Sequence, residues 1–333
     1  MDVNKGKFFK NGNIDIAKNI NENTINQQID ALKREKNAVI LGHFYQTSDV
    51  QDISDYLGDS LKLAQIAAET DADMIIFAGV HFMAETAKIL SPEKKVIIPD
   101  LDAGCSLADS CPPDEFRKFV NEHPDHTVIS YVNTTAEIKT MTDICCTSTN
   151  ALQIVNYLPD TEKIIFAPDK NLGNYIQRVT GREMLIWPGA CHVHEEFSVE
   201  RIVDLKEEHP DAKIIAHPEC EKPVLLLSDH VGSTSSLLNY TKTDNADKYI
   251  VATESGIIHQ MKKANPHKEF IVAPPKDSTC GCNDCNYMKL ITREKILRSL
   301  QFEKPEVKLD KQTIEKARKP IQRMLDISRE LGL

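Results

Sequence analysis

The chain is predicted to fold as an α/β protein of three related three-layer αβα units, each with a small parallel sheet. Three observations predict it. Apolar strand-like runs recur at a near-constant spacing, helical patterns alternate with them, and each copy ends in cysteine. A fixed internal period is read first because it sets the architecture. Strands alternating with helices give a parallel sheet covered on both faces.

The first element, from Glu22 to Lys36, has the pattern of one amphipathic helix leading into the first strand. The first strands of the copies are Val39–Tyr45, Val128–Asn133 and Lys213–Glu219. A hydroxyl group or cluster follows each: Ser60, then Thr147-Ser148-Thr149, then Ser233-Thr234-Ser235. The next helix in copy one shows Leu61, Ala64 and Ala68 at i, i+3 and i+7. In copy two Ala151, Ile154, Val155 and Leu158 form the corresponding stripe. Second strands are Met74–Gly79, Lys163–Pro168 and Lys248–Thr253, followed by helices over Phe82–Leu90, Leu172–Val179 and Ile257–Lys263. A third strand ends at Pro99, Pro188 and Pro274, and then come Cys105, Cys191 and the cluster Cys280, Cys282, Cys285. The tail is helix-rich, with Thr313–Leu331 its clearest helix.

These marks give the expected boundaries. Residues 1–36 are an N-terminal extension, and 37–112, 113–197 and 198–285 are the three repeats. Residues 286–333 form a helical tail. In open α/β sheets ligands bind outside the carboxyl ends of the strands. Three copies about a pseudo-threefold axis would therefore aim their loops at one central active site.

Composition narrows the function. A net charge of −10 without a dense basic patch argues against a nucleic-acid partner. No long apolar span or signal-peptide pattern is visible, so a cytoplasmic protein with no membrane association is expected. Nine cysteines, an odd number, argue for metal or catalysis over a disulfide framework. Cys111, Cys145, Cys146 and Cys220 are read as ordinary small residues.

The first-strand ends carry polar pairs in register: His43 with Tyr45, Tyr131 with Asn133, and His217 with Glu219 (131 − 43 = 88; 217 − 131 = 86). Residues i and i+2 of a strand share a face, so each pair points one way. The hydroxyls precede helical patterns, which suits N-capping. They also suit anion binding, making Ser60, Ser148, Ser233 and Thr234 candidates for a phosphate or carboxylates.

One cysteine per copy gives three metal ligands. A zinc knuckle around Cys280-Gly-Cys282-Asn-Asp-Cys285 is one reading, although structural zinc wants four ligands. A [4Fe–4S] cluster on three cysteines is the other, and it would leave one iron open as a Lewis acid.

The chain resembles the quinolinate synthase family, from about Asn37 to Leu290. The resemblance rests on Gly42-His-Phe-Tyr-Gln46, Gly79-Val-His-Phe-Met-Ala-Glu-Thr-Ala-Lys88, Asp102-Ala-Gly-Cys105, Pro188-Gly-Ala-Cys191, His217-Pro-Glu219, Gly232-Ser-Thr234 and Ala252-Thr-Glu-Ser-Gly256. It implies an enzyme of NAD biosynthesis with three pseudo-symmetric αβα domains around a [4Fe–4S] cluster. That enzyme condenses iminoaspartate with dihydroxyacetone phosphate to quinolinate, phosphate and two waters. An L-aspartate oxidase or aspartate dehydrogenase is the implied supplier of iminoaspartate.

The resemblance also implies roles. Cys105 and Cys191 are cluster ligands, and Cys285 is the third because it precedes Met288 by three, with Cys280 and Cys282 as spare residues, a reversible disulfide or the alternative ligand. Tyr45 and Glu219 transfer protons, while His43, His194 and His217 bind or polarise substrate oxygens. Tyr131 and Asn133 line the cavity near the open iron, and Ser60, Ser148, Ser233 and Thr234 hold phosphate or carboxylates. Glu219 is expected to have a raised pKa in a closed cavity. His81, His192, His230 and His259 are left out of the site. A different [4Fe–4S] hydro-lyase and a non-enzymatic metal-binding sensor are the competing readings.

Overall fold

The structure, a computed structural model, describes residues 9–10, 13–14, 24–277 and 283–333. Strands β1 (Phe9–Lys10) and β2 (Asn13–Ile14) form a short antiparallel pair. Three four-stranded parallel sheets follow among the described residues. The first holds β3 (Ala38–His43), β4 (Tyr56–Gly58), β5 (Met74–Ala78) and β6 (Lys95–Ile97). The second holds β7 (Thr127–Tyr131), β8 (Ile144–Cys146), β9 (Ile164–Ala167) and β10 (Leu185–Ile186). The third holds β11 (Lys213–Ala216), β12 (His230–Val231), β13 (Lys248–Ala252) and β14 (Glu269–Val272).

The spatial orders are β4-β3-β5-β6, β10-β9-β7-β8 and β12-β11-β13-β14. Counted within each copy, all three are the same order, 2-1-3-4. The period therefore reflects one αβα topology used three times. In that order the chain reverses direction across the sheet between local strands one and three. Their carboxyl ends form the crevice where such sheets bind ligands.

The strands form because they are apolar runs that both faces can bury. Every residue of β5 is buried, as a parallel sheet between helix layers requires. The helix over Ser60–Glu69 buries Leu61, Leu63, Ala64 and Ala67. Ala68 is exposed, which corrects the expected stripe by one position. In copy two the stripe holds, with Ala151, Ile154 and Val155 buried on the helix Ala151–Tyr157.

Each copy has one strand more than the sequence pattern suggested, the edge strand β4, β8 or β12. It is two or three residues long, too short to show a period. An aspartate pins it in all three copies. Asp55, Asp143 and Asp229 each accept the N–H of a first-strand residue, Ile40, Val128 or Ile214, at 2.8 Å. Their own N–H groups return to the same residues' carbonyls at 3.0, 3.0 and 2.7 Å. The preceding hydroxyl closes the short helix before it, Ser54 on Val50, Thr142 on Ile138 and Ser228 on Val224.

The chain divides into two compact units, residues 1–105 with 286–318, and residues 106–285 with 319–333. Unit one contains the first sheet. The expected N-terminal helix spans Ile25–Glu35, buries Ile25 and Ile29, and packs on the helix Arg293–Phe302. Unit two contains the other two sheets. The tail helix spans Lys311–Glu330 with Pro320 inside it. Among the described residues no helix is long and apolar enough to cross a membrane.

Candidate active site

The first-strand pairs are brought together by a turn and not by the strand pleat. β3 ends at His43 and β11 ends at Ala216, so Tyr45, His217 and Glu219 lie beyond the strands. The turn is closed by Gln46 N–H on His43 O and by Cys220 N–H on His217 O, both at 3.0 Å. In copy two the Thr134 hydroxyl takes that place, donating to Tyr131 O at 3.1 Å.

The turn also orients the histidines. The N–H of Tyr45 donates to Nδ1 of His43 at 3.2 Å, and that of Glu219 to Nδ1 of His217 at 3.4 Å. With Nδ1 accepting, the neutral ring carries its proton on Nε2. For His217 that proton faces Ser148 Oγ at 3.1 Å.

Glu219 is the centre of the arrangement in unit two. Tyr131 Oη donates to its Oε1 at 2.6 Å. Nδ1 of His194 stands 3.1 Å from its Oε2, and Nδ1 of His217 stands 3.6 Å from Oε1. The two imidazoles stack with ring centroids 4.8 Å apart. Nε2 of His194 is 3.0 Å from the Thr253 hydroxyl. Tyr131, His194, His217 and Glu219 are all buried.

Burial pushes the Glu219 carboxyl up. His194 and His217 beside it and the Tyr131 hydrogen bond outweigh burial and hold its pKa at about 2. The expected raised pKa is thus reversed. An enclosed glutamate is raised only where no donors or positive charge face it, and here three groups do. Glu219 is ionised at neutral pH and can accept a proton without first losing one.

Asp169 is a carboxyl that sequence reasoning missed. It caps the helix Lys170–Thr180, with Oδ1 accepting from Leu172 N–H at 2.7 Å, while Oδ2 is buried with no partner among the described residues. Burial and then the Glu219 charge push its pKa well up, against backbone donors that include the Cys191 N–H. Glu254 holds the same position in copy three (254 − 169 = 85) and is fully buried. Its Oε1 accepts from Cys285 N–H at 3.2 Å and its Oε2 from Gly256 N–H at 2.7 Å. In copy three a carboxylate after local strand three therefore holds the backbone of the cysteine, and Asp169 occupies the same register position in copy two. The signal was available as Pro168-Asp169 and Thr253-Glu254 in register, each following an alanine that ends its strand.

Cys191 precedes the short helix His192–Glu195, which carries His194 back over Glu219. Ligand atoms of Cys191, His194 and Glu219 all lie within 4.8 Å of one another. The turn before Cys191 needs Gly189, where a Cβ would meet Pro168 O at 2.6 Å. Cys105, Cys191 and Cys285 are half-buried. Cys111, Cys145, Cys146 and Cys220 are fully buried. Burial lifts the Cys111 and Cys145 thiols to about 12, and raises Cys146 and Cys220 as well. Cys280 and Cys282 lie outside the described residues.

The remaining candidates are placed as follows. In unit one His43 and Tyr45 meet edge to face, centroids 4.6 Å apart. Ser60 begins its helix behind Asp59, which is the residue that caps it through Lys62 N–H. In unit two Ser148 and Ser233 line one open cleft of about 550 Å³. Ser233 caps Thr234–Thr243 through Ser236 N–H, and Thr234 is buried at the first position of that helix. Asn150 and not a hydroxyl stands at the cap position of Ala151–Tyr157. Among the described residues, Oδ1 of Asn133 is buried without a partner. The histidines left out have local partners: His192 with Ser106 at 2.6 Å, His230 with Ser236 at 3.0 Å, and His81 facing Glu85 at 3.7 Å.

Comparison with known proteins gives a consistent result. Residues 27–326 match the family described as Quinolinate synthetase A protein. A quinolinate synthase of Synechocystis sp. is 59% identical over 300 residues, covering 90% of this chain and 94% of the relative. The quinolinate synthases of Microcystis aeruginosa and Thermosynechococcus vestitus are 58% and 56% identical over the same shares. With a match of this extent and relatives all named for one enzyme, the chain belongs to the quinolinate synthetase A family of enzymes.

Proposed function

We propose that this enzyme condenses iminoaspartate with dihydroxyacetone phosphate, giving quinolinate, inorganic phosphate and two waters. The observation that carries the reading is the buried, ionised Glu219, bonded to Tyr131 and faced by His217 at a strand carboxyl end and by His194 on the short helix after Cys191. Losing two waters to reach an aromatic ring requires protons to be taken from carbon and given to departing oxygens. Glu219 and Tyr45 transfer these protons. His43, His194 and His217 polarise substrate oxygens, and for His43 and His217 the donor is Nε2–H. Tyr131 and Asn133 line the cavity, with the buried Oδ1 of Asn133 open to a substrate donor. Ser60, Ser148, Ser233 and Thr234 hold phosphate or carboxylates, and the shared cleft of Ser148 and Ser233 supports that role.

The donor set fits a [4Fe–4S] cluster held by Cys105, Cys191 and Cys285. These three thiols are half-buried, whereas the four fully buried ones resist ionisation and make poor thiolate ligands. The Glu254 carboxylate that fixes the Cys285 backbone supports Cys285 as the third ligand. When bound, the cluster supplies a Lewis-acidic iron that polarises a substrate hydroxyl for departure. An L-aspartate oxidase or aspartate dehydrogenase would supply the iminoaspartate, in the cytoplasm.

Iron, acid-labile sulfide and zinc per chain, measured in protein purified without oxygen, test the cofactor. About four irons and four sulfides are expected. Zinc without sulfide after anaerobic reconstitution would overturn it. Quinolinate formation should require dihydroxyacetone phosphate, and turnover in its absence would favour another hydro-lyase.

A further inference from the structure

Two buried side chains in different copies perform the same task with different chemistry. In copy one Gln51, on the helix Ser48–Ile53, is 1% exposed. Its Nε2 donates to Phe44 O at 2.9 Å and to Gln46 O at 2.8 Å. In copy two Lys139 ends the helix Ala136–Lys139 and is fully buried. Its Nζ donates to Val132 O at 2.9 Å, to Thr134 O, and to Thr134 Oγ1 at 3.5 Å. The register is the repeat's own: 139 − 51, 132 − 44 and 134 − 46 are all 88. One nitrogen thus collects the carbonyls on either side of Tyr45 in the first copy and of Asn133 in the second.

We propose that Gln51 and Lys139 are positioning residues, each clamping the loop that presents one site residue, Tyr45 or Asn133. Turning two carbonyls onto one buried donor fixes the peptide plane just before that residue and the plane after its next neighbour, so the loop is held at both ends around it. This sets the direction in which its side chain leaves the backbone. Burying a lysine is costly unless its donors are met. Here its ammonium has three oxygens for three donors, so the charge serves the loop directly. In copy one Lys289 Nζ takes Tyr45 O at 2.7 Å, so the carbonyls of residues 44, 45 and 46 all have named donors. Copy three does without the device. Its register position is Leu225, which has no donor, and Cys220 Sγ instead ties the loop to Ala252 O at 3.2 Å. A requirement of the fold alone would call for the donor in every copy. Among the described residues the donor is present in two copies and absent from the third, where Glu219 is held by Tyr131.

The inference rests on the proposed roles of Tyr45 and Asn133, so its test reads loop and chemistry separately. Lys139→Met removes the donor at similar length. Lys139→Gln installs the group that copy one uses. Gln51→Leu places the copy-three residue in copy one, and gives a second route if the buried lysine is needed for folding. Each variant is assayed as cluster-loaded protein by amide hydrogen exchange at residues 44–47 and 132–135, and by kcat and KM for quinolinate formation. Expected are faster exchange confined to the clamped loop and a fall in kcat/KM of about 100-fold, a typical effect of misplacing a site residue by about an ångström. Lys139→Gln should recover most of that loss. Unchanged exchange in Lys139→Met and Gln51→Leu would overturn the clamp itself. Faster exchange with unchanged kcat/KM would overturn the link to Tyr45 and Asn133. Loss that merely tracks the folded fraction, with no rescue by Gln, would reduce both residues to core packing and overturn the proposal.

Discussion

Tyr131 and Glu219 come from the first-strand ends of adjacent copies, and the phenol of one donates to the carboxylate of the other at 2.6 Å. Strand β7 delivers the tyrosine at its last residue, and the turn after β11 delivers the glutamate. Neither group is solvated, so the bond sets the charge that the site presents. Tyr131→Phe removes a hydrogen bond to a buried charge, worth about 1.5–3 kcal/mol. A drop in kcat of roughly 10- to 100-fold is expected, with iron and sulfide content retained. Glu219→Gln should abolish turnover, also with the cluster retained. Steady-state quinolinate formation alongside metal analysis checks both. Full activity of Glu219→Gln would remove the base assignment.

The cysteine turns should depend on the carboxylates behind them. Glu254→Ala removes the acceptor of Cys285 N–H and of Gly256 N–H. Partners one step behind a metal ligand are worth about 10- to 100-fold in metal affinity. Anaerobic reconstitution at limiting iron and sulfide should therefore load Glu254→Ala poorly, while Glu254→Gln, which keeps one oxygen, loads better. Equal loading of all three proteins would show that Cys285 needs no such support.

The tail carries a pH-dependent contribution to unit one. Glu303, just after the helix Arg293–Phe302, bonds Lys36, which precedes β3, at 2.8 Å, and also Lys95, the first residue of β6. Those hydrogen bonds hold its carboxyl at about 2, against about 4.3 in an unfolded chain. A lowered folded pKa stabilises above the unfolded value, and the gain is lost as pH falls from about 4.3 towards 2. The side chain is 36% exposed, so solvent screening limits the effect to about 1 kcal/mol or less. Acid-unfolding curves of the parent and Glu303→Gln should differ above pH of about 5 and converge near pH of about 2. A constant offset across that range would assign the effect to packing.

The sequence made the repeat legible because strand runs such as Met74–Ala78 are apolar throughout, and their spacing survives divergence. The polar pairs were legible for the same reason, since His43, Tyr131 and His217 keep register. The edge strands were not, because β12 is two residues, His230 and Val231, with no apolar pattern. Their signal lay instead in Ser54-Asp55, Thr142-Asp143 and Ser228-Asp229, spaced by 88 and 86. Asp169 and Glu254 escaped notice because they differ in length and copy one has Val80 in their place. Lys139 was hidden by its chemistry, since a lysine in a short helix reads as a solvated residue. The sign of the Glu219 shift depends on the groups that face it, among them Nδ1 of His194 at 3.1 Å, which the turn through Cys191 brings there.

Gly189 tests how tightly that turn is held. A Cβ there would stand 2.2 Å from Ser110 Oγ and 2.6 Å from Pro168 O. The serine hydroxyl can rotate away, but the Pro168 carbonyl belongs to the backbone between β9 and Asp169. Gly189→Ala must therefore push the Cys191 turn away from the Asp169 carboxyl, at a cost of about 1–3 kcal/mol for overpacking. A lower Tm and weaker iron retention are expected together. Adding Ser110→Ala separates the two contacts. If the serine alone blocks the methyl group, the double variant regains the parent Tm. The geometry calls for the opposite result, with the defect persisting because the carbonyl remains and iron retention staying low even where stability is partly recovered.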